Sequence, residues 1–445
     1  MTTTPTRQAA WPGLDEVPTG PRAEVSARVA RRLFRAAVRR LPVTVREGSD
    51  STRTWGAGGP EMRIQRPGEF FARLGRDGLI GFGEAYMTGA WEADDLGGFL
   101  TVLAADLPRL VPAPLQALRT AYVARPPRHQ RNTEDNTRNN ISHHYDLSNE
   151  LFGIFLDETL SYSSALFDTS VRERGDHLSA APPEGDHSEA LAAAQARKID
   201  RLLDEAGVRD GTRVLEIGTG WGELAIRAAA RGATVHSVTL SSEQLELAER
   251  RVHEAGYAGR VSIELCDYRA VSTGPAAGGT YDAVVSVEMI EAVGHEFWPT
   301  YFATIDRVLA PGGRVAIQAI TMPHDRMLAT RNTWTWIHKY IFPGGFLPSV
   351  TAIDEATRAH TTLRISNRLA FGRHYAETLA RWDAAFMSAR EQVEALGLDR
   401  TFRRMWHFYL EYSRAGFASG YLDVQQVTLT REEATTPHAR PEVAR

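Results

Sequence analysis

Residues 212–222 read Thr-Arg-Val-Leu-Glu-Ile-Gly-Thr-Gly-Trp-Gly, and this stretch decides the fold. A short apolar run that ends in alternate glycines is a strand followed by a turn whose backbone a ligand can approach closely. Next come ELAIRAAARG (223–232), a helix with a glycine stop, and ATVHSVTL (233–240), a strand. SSEQLELAERRVHEAG (241–256) is a helix opened by serine. RVSIELC (260–266), YDAVVSVEM (281–289) and GGRVAIQAI (312–320) are further strands, rich in β-branched residues as in a sheet buried on both faces. Alternation of strands and helices over 195–320 predicts an α/β, Rossmann-like, doubly wound parallel sheet.

The turn Gly218-Thr219-Gly220-Trp221-Gly222 fits a dinucleotide, a nucleoside or a purely structural role. Three details favour S-adenosylmethionine. The spacing is GxGxG rather than GxGxxG, no Gly-Lys-Ser/Thr follows to hold a triphosphate, and the acidic Glu216 precedes the first glycine, where a cationic amino-acid moiety would lie. The second strand ends in Val238-Thr239-Leu240-Ser241, with Gln244 one turn into the next helix. Hydroxyls and an amide stand there instead of the acid that usually holds ribose. After the third strand, Asp267 is a candidate acceptor for the adenine amino group, with Tyr268 beside the ring; a helix cap is the other reading of Asp267.

The 445 residues suggest two to three domains, and 43% apolar with 24% charged residues is an ordinary globular composition. Cys266 is the only cysteine, so no intrachain disulfide forms. The net charge of −4 argues against general nucleic-acid binding. Lys198 and Lys339 are the only lysines; every other basic residue is arginine. The opening MTTTPTRQAAWPG lacks the pattern of a signal peptide, and no stretch approaches about 18 uncharged apolar residues. A cytoplasmic protein is expected. His143 and His144 have no cysteine or carboxylate at metal spacing, so no metal is expected.

The expected organisation is a disordered start (1–20), a small N-terminal α+β, lipid-associated domain (21–122), a linker (123–140), a large α/β domain (141–431) and a flexible tail (432–445). Residues 22–40 read as an amphipathic helix: Val25, Val29, Leu33, Ala37 and Leu41 recur every four residues among many arginines. Such a helix suits either an anionic bilayer or ordinary packing. LPVTVRE (41–47) and EMRIQR (61–66) are strand-like, and 172–190 reads as an irregular surface loop.

Several long motifs together resemble the cyclopropane-fatty-acyl-phospholipid synthases and their relatives, the mycolic-acid cyclopropane synthases and fatty-acid C-methyltransferases. They are ISHHYDLSNELFGIFLDETLSYSSALF (141–167), VLEIGTGWGELA (214–225), SVTLSSEQ (237–244), VVSVEMIEAVG (284–294), YIFPGGFLPS (340–349) and FGRHYAETLARW (371–382). GFGEAYMTGAWEADDL (81–96) resembles the small N-terminal domain of phospholipid-acting members. The resemblance implies the class I S-adenosylmethionine-dependent methyltransferase fold. It also implies a substrate, the cis double bond of an unsaturated phospholipid acyl chain. The alkene attacks the sulfonium methyl, leaving a carbocation. Proton loss from the transferred methyl closes a cyclopropane; a hydride shift before proton loss gives a methylene branch.

By the same carry-over Tyr162 and Ser163 touch the methionine part of the cofactor, Gly218 and Gly220 line it, and Thr239 and Gln244 hold the ribose. The family's base is a bicarbonate ion held by Cys, Glu, His and Tyr. The Glu matches Glu291 and the Tyr matches Tyr375, but Ser164 stands at the Cys position and Gln318 at the His position. Serine and glutamine still hydrogen-bond an oxyanion but give up histidine's charge. With these departures the expected product is a methylene-branched (10-methylene-type) chain, with a cyclopropane as the alternative, and Glu291 is a base in its own right if burial raises its pKa. Aromatic residues near the motifs, Tyr145, Phe152, Phe155, Tyr162, Trp336, Tyr340 and Phe342, suit a dry cationic pocket or simply a core. A methylene product calls for a separate reductase, since no flavin or nicotinamide motif is present. The expected location is the inner face of the cell membrane, with oligomeric state open, a homo-oligomer included. The rival readings are a small-molecule methyltransferase and a binding subunit without catalysis.

Overall fold

The computed structural model describes residues 11, 13–48, 54–106, 148–183, 188–272 and 279–431. The linker 123–140, His143, His144, Tyr145 and the tail from 432 lie outside these residues.

Among the described residues, thirteen strands form two sheets. The small sheet contains β1 (Thr44–Glu47), β2 (Thr54–Trp55), β3 (Glu61–Ile64) and β4 (Trp91–Ala93), in the order β2-β1-β3-β4. The large sheet contains β5 (Val171–Arg174), β6 (His177–Ala180), β7 (Arg213–Ile217), β8 (Thr234–Thr239), β9 (Val261–Leu265), β10 (Tyr281–Val287), β11 (Leu309–Thr321), β12 (Leu363–Ala370) and β13 (Asp423–Arg431). Its order is β5-β6-β12-β13-β11-β10-β7-β8-β9. β9, β8, β7, β10 and β11 run parallel, as the sequence predicts. The chain leaves β7 toward β8 on one side and reaches β10 on the other, so the order reverses beside β7. In open α/β sheets ligands bind at such a switch point, beyond the carboxyl ends of the strands.

Two features go beyond the expected parallel sheet. β13 is inserted antiparallel between β11 and β12. It was hard to read because Gln425, Gln426 and Thr428 are buried on it, so a polar sequence occupies an interior strand. The segment 172–190, expected to be an irregular loop, begins with a hairpin: β5 and β6 pair antiparallel around a two-residue Gly175-Asp176 turn, with Gly175 at φ +60°. β5 is fully exposed and charged, so it carries no alternating apolar signal. The amphipathic helix runs over Pro21–Val38, with proline in its first turn.

The small sheet and its helices Pro67–Asp77, Leu79–Met87 and Leu96–Ala105 share one apolar core with helices Gly372–Ser388 and Arg400–Ala418. Phe82 and Trp91 meet Phe408 of helix Arg400–Ala418 within that core, and Phe99 packs on Trp91. Within the expected disordered start, Leu14 is buried and its carbonyl accepts a hydrogen bond from Arg73 at 2.6 Å. The chain's two lysines both reach inward: Lys339 pairs with buried Glu84, and buried Lys198 donates to Ser163 Oγ at 2.6 Å.

Candidate active site

Two loops at the carboxyl end of the sheet form the site. The first follows β7. Gly218, Gly220 and Gly222 have φ of +96°, +54° and +89°, a left-handed backbone that glycine adopts at little cost. A Cβ built on Gly220 meets nothing within 4 Å, so the loop presents bare backbone to open space there. Trp221 locks the loop through its indole N–H to Asn149 Oδ1 at 2.7 Å. Arg251 binds the Trp221 and Thr159 carbonyls together, which ties the loop to the 159–164 segment.

The other expected cofactor residues cluster around this loop. Glu216 is buried, accepts from Ser237 Oγ at 2.5 Å, and burial pushes its carboxyl up to about 8. Thr239 Oγ1 donates to Gln244 Oε1 at 2.9 Å at the end of β8, with Leu240 half-buried beside them. Ser241 caps the following helix. Asp267 caps the short turn Tyr268–Ala270 and pairs with Arg269, so its oxygens already have partners. Tyr268 packs edge-on against Tyr301 in the core. Tyr162 Oη and Tyr409 Oη share a hydrogen bond at 2.7 Å, and the Tyr162 ring stacks on Trp382 at 5.3 Å. Phe152 joins Tyr162 to Trp221 at 5.0 and 4.9 Å, so an aromatic wall borders the glycine loop. Of the other aromatic candidates, Trp336 packs on Phe408 and Tyr340 bonds to Glu84, away from this wall.

The second loop follows β10. Met289 Cγ lies 3.2 Å from the Cβ position of Gly218, so the two loops touch. Glu291, Tyr375, Ser164 and Gln318, expected together from the sequence, do converge here, but their common centre is Glu288. Ser164 N–H donates to Glu288 Oε1 at 2.9 Å, Gln318 Nε2 to the same oxygen at 2.8 Å, and Tyr375 Oη to Oε2 at 3.0 Å. Glu291 Oε1 accepts from Ile320 N–H, while its buried Oε2 has no hydrogen-bond partner. Burial and the neighbouring Glu288 push the Glu291 carboxyl up to about 8. Burial also raises Glu288, opposed by its three donors and by the charge of Lys198. Lys198 in turn is pushed down to about 8 by burial.

The sequence reading missed Glu288 and its supports. Gln426 on β13 donates to Gln318 Oε1 at 3.1 Å and to the Lys198 carbonyl at 3.0 Å, which turns the Gln318 amide nitrogen toward Glu288. Gln195 holds the Ser161 and Ser163 carbonyls at 3.2 and 2.9 Å. One signal for Glu288 was available: a lone acid just past an apolar parallel strand stands where ligands bind.

A bicarbonate ion does not fit this arrangement. The Ser164, Gln318 and Tyr375 donors are spent on Glu288, and a second anion among them would meet its carboxylate.

The sequence profile described as mycolic acid cyclopropane synthetase matches residues 132–427. The chain is 54% identical over 424 residues to the tuberculostearic acid methyltransferase UfaA1 of Mycobacterium tuberculosis, covering 95% of each chain. It is 32% identical over 380 residues to the cyclopropane-fatty-acyl-phospholipid synthase of Escherichia coli, covering 84% of this chain and 89% of the relative. Among solved structures, mycolic acid cyclopropane synthase CmaA1 complexed with SAH and CTAB has a TM-score of 0.56 at 28% identity, covering 66% of this chain and 97% of that one. With a sheet order, a glycine loop and a matching profile that agree, the chain belongs to the mycolic acid cyclopropane synthetase family and carries the class I S-adenosylmethionine-dependent methyltransferase fold.

Proposed function

We propose that this chain is an enzyme that transfers a methyl group from S-adenosylmethionine to the cis double bond of an unsaturated phospholipid acyl chain, giving a methylene-branched product. One observation carries the reading: the open glycine loop touches, through Gly218 and Met289, a loop that carries a half-buried pair of carboxylates, Glu288 and Glu291, able to take a proton. The 54%-identical relative, named a methyltransferase, supports it.

The cofactor supplies an electrophilic methyl group when bound. Gly218 and Gly220 would line it, Tyr162 and Ser163 would meet its methionine part, and Thr239 and Gln244 its ribose. An alkene is a weak nucleophile, so both partners must be held in line and dry. The Tyr162, Trp382 and Phe152 rings exclude water and offer π faces to a developing cation. The carboxylates at the end of β10 then remove a proton. Expression of the chain in cells rich in monounsaturated phospholipid, followed by mass spectrometry, tests this. Acyl chains heavier by one CH2 are expected, and fragmentation separates a methylene branch from a ring. Ring closure is the second reading, favoured by the 32%-identical synthase. A methylene product becomes a methyl branch only through a separate reductase.

The substrate lies in a bilayer, and no helix among the described residues is long and apolar enough to cross one. The helix Pro21–Val38 supports peripheral docking at the inner membrane face. Val25, Val29 and Leu33 form one stripe on it and are 58%, 53% and 37% exposed. Exposed Arg28, Arg32 and Arg39 flank the stripe. Arg31 and Arg35 instead turn inward, pairing with buried Glu47 and stacking on Phe71 and Trp55. Changing Arg32 and Arg39 to Gln should weaken binding to anionic vesicles by roughly 1 kcal/mol per charge, most at low salt. Equal binding of the variant and the parent in a vesicle sedimentation assay would refute docking by this helix.

A further inference from the structure

The sequence assigned no role to Glu288, yet the site is organised around it. The donors carried over as bicarbonate ligands, at Ser164, Gln318 and Tyr375, all point to its carboxylate, at 2.8 to 3.0 Å. A carboxylate and a bicarbonate present the same planar O–C–O anion to such donors. The backbone is arranged for this placement. Glu288 sits at φ +48°, a left-handed conformation uncommon outside glycine, and its own N–H is held by the Gln318 carbonyl at 2.8 Å. Buried Lys198 supplies a compensating charge nearby. Gln426 fixes the Gln318 amide from behind, so the donor set is rigid.

We propose that Glu288 takes the place of bicarbonate, so that the proton acceptor of this enzyme is part of the chain. The proposal rests on the C-methylation reading above. In the step it performs, a hydride has first shifted so that the positive charge lies on the methyl-bearing carbon, and a C–H bond of the transferred methyl group then breaks. Its electron pair becomes the new π bond of the methylene product. The proton goes to a Glu288 oxygen, so the carboxylate becomes a neutral carboxyl group as the chain loses its positive charge. The carboxyl group returns the proton to water after the product leaves. Glu291 is the poorer candidate, since its Oε2 has no hydrogen-bond partner while both Glu288 oxygens are held, and burial with the neighbouring Glu288 favours its neutral form.

Chemical rescue tests the assignment. Glu288→Gly suits the left-handed backbone and opens an anion-sized space among the same three donors. Glu288→Gln keeps that space filled but cannot accept a proton as a carboxylate does. Turnover is measured on vesicles of dioleoylphosphatidylglycerol in buffer freed of carbon dioxide, and binding of S-adenosylhomocysteine confirms an intact site. The wild type should work equally well with and without bicarbonate. Both variants should lose a hundredfold or more in turnover. Sodium bicarbonate or formate should restore Glu288→Gly at least tenfold and leave Glu288→Gln unchanged. A wild type that needs added bicarbonate, either variant at full turnover, or a Glu288→Gly enzyme that binds S-adenosylhomocysteine but is not rescued, would each overturn the proposal. A wild type that adds no CH2 to the lipid under any condition would instead overturn the C-methylation reading.

Discussion

The loop after β7 and the loop after β10 lie side by side and both use left-handed backbone, but they are built on opposite principles. The first removes side chains: three glycines at positive φ let the turn pass close under Met289 and Ala248 and leave open space above Gly220. The second adds one: Glu288 occupies a positive φ at a cost on the order of 1–3 kcal/mol. Three hydrogen bonds from three different segments offset that strain. A left-handed turn made with glycine makes room, whereas the same turn made with glutamate delivers a charged group to a fixed point. In the proposed reaction, neighbouring loops of one sheet would thus divide the work, one accommodating a ligand and the other supplying the chemistry.

The largest effect should come from reversing the first principle. Gly220→Val forces a β-branched residue into φ +54° and fills the space above the loop. S-adenosylhomocysteine binding should fall below detection in calorimetric titration while the protein stays folded by circular dichroism. Unchanged affinity would show that the glycine loop does not contact the cofactor.

A smaller effect should separate the two carboxylates of the second loop. Glu291→Gln keeps an oxygen for Ile320 N–H and removes only the ionisable group. Turnover should fall by roughly tenfold, short of the hundredfold or more expected for a lost general base, with cofactor affinity unchanged. A loss larger than that of Glu288→Gly would transfer the acceptor role to Glu291.

The smallest effect concerns stability. Burial raises the folded-state pKa of Glu216 to about 8 from its ordinary value of 4.5. Between these values the folded chain binds a proton that the unfolded chain has released. Its contribution to stability is therefore complete below pH 4.5 and is lost as pH rises toward 8, by at most about 1.4 kcal/mol per pH unit. Glu216→Gln should flatten this slope in urea unfolding measured from pH 5 to 8. An unchanged slope would mean that Glu216 is ionised in the folded protein.

The contrast between the loops also explains what was legible beforehand. Gly218, Gly220, Thr239 and Gln244 belong to short contiguous motifs, so strand periodicity and turn chemistry place them without tertiary information. Glu291, Tyr375, Ser164 and Gln318 could be grouped only through family resemblance, because they come from four separate segments. What no linear pattern announced is that they surround Glu288. That depends on the strained backbone after Val287 and on β13, whose buried glutamines disguise an interior strand. Asp267 shows the opposite limit: its position after β9 suits adenine recognition, while its side chain caps a turn and pairs with Arg269.

The core shared by the small sheet and helix Arg400–Ala418 has a mechanical consequence. Gly97 fits so closely against Glu411 and Arg414 that a Cβ there would clash with both, and Arg404 bridges to the Tyr86 and Trp91 carbonyls. Helix Arg400–Ala418 also carries Tyr409, which holds Tyr162 in the aromatic wall. The piece that would rest on the lipid and the piece that would perform the chemistry are therefore joined through one stiff lever rather than a tether. Separating the two would strip Phe408 of the cover that Phe82, Tyr86 and Trp91 give it.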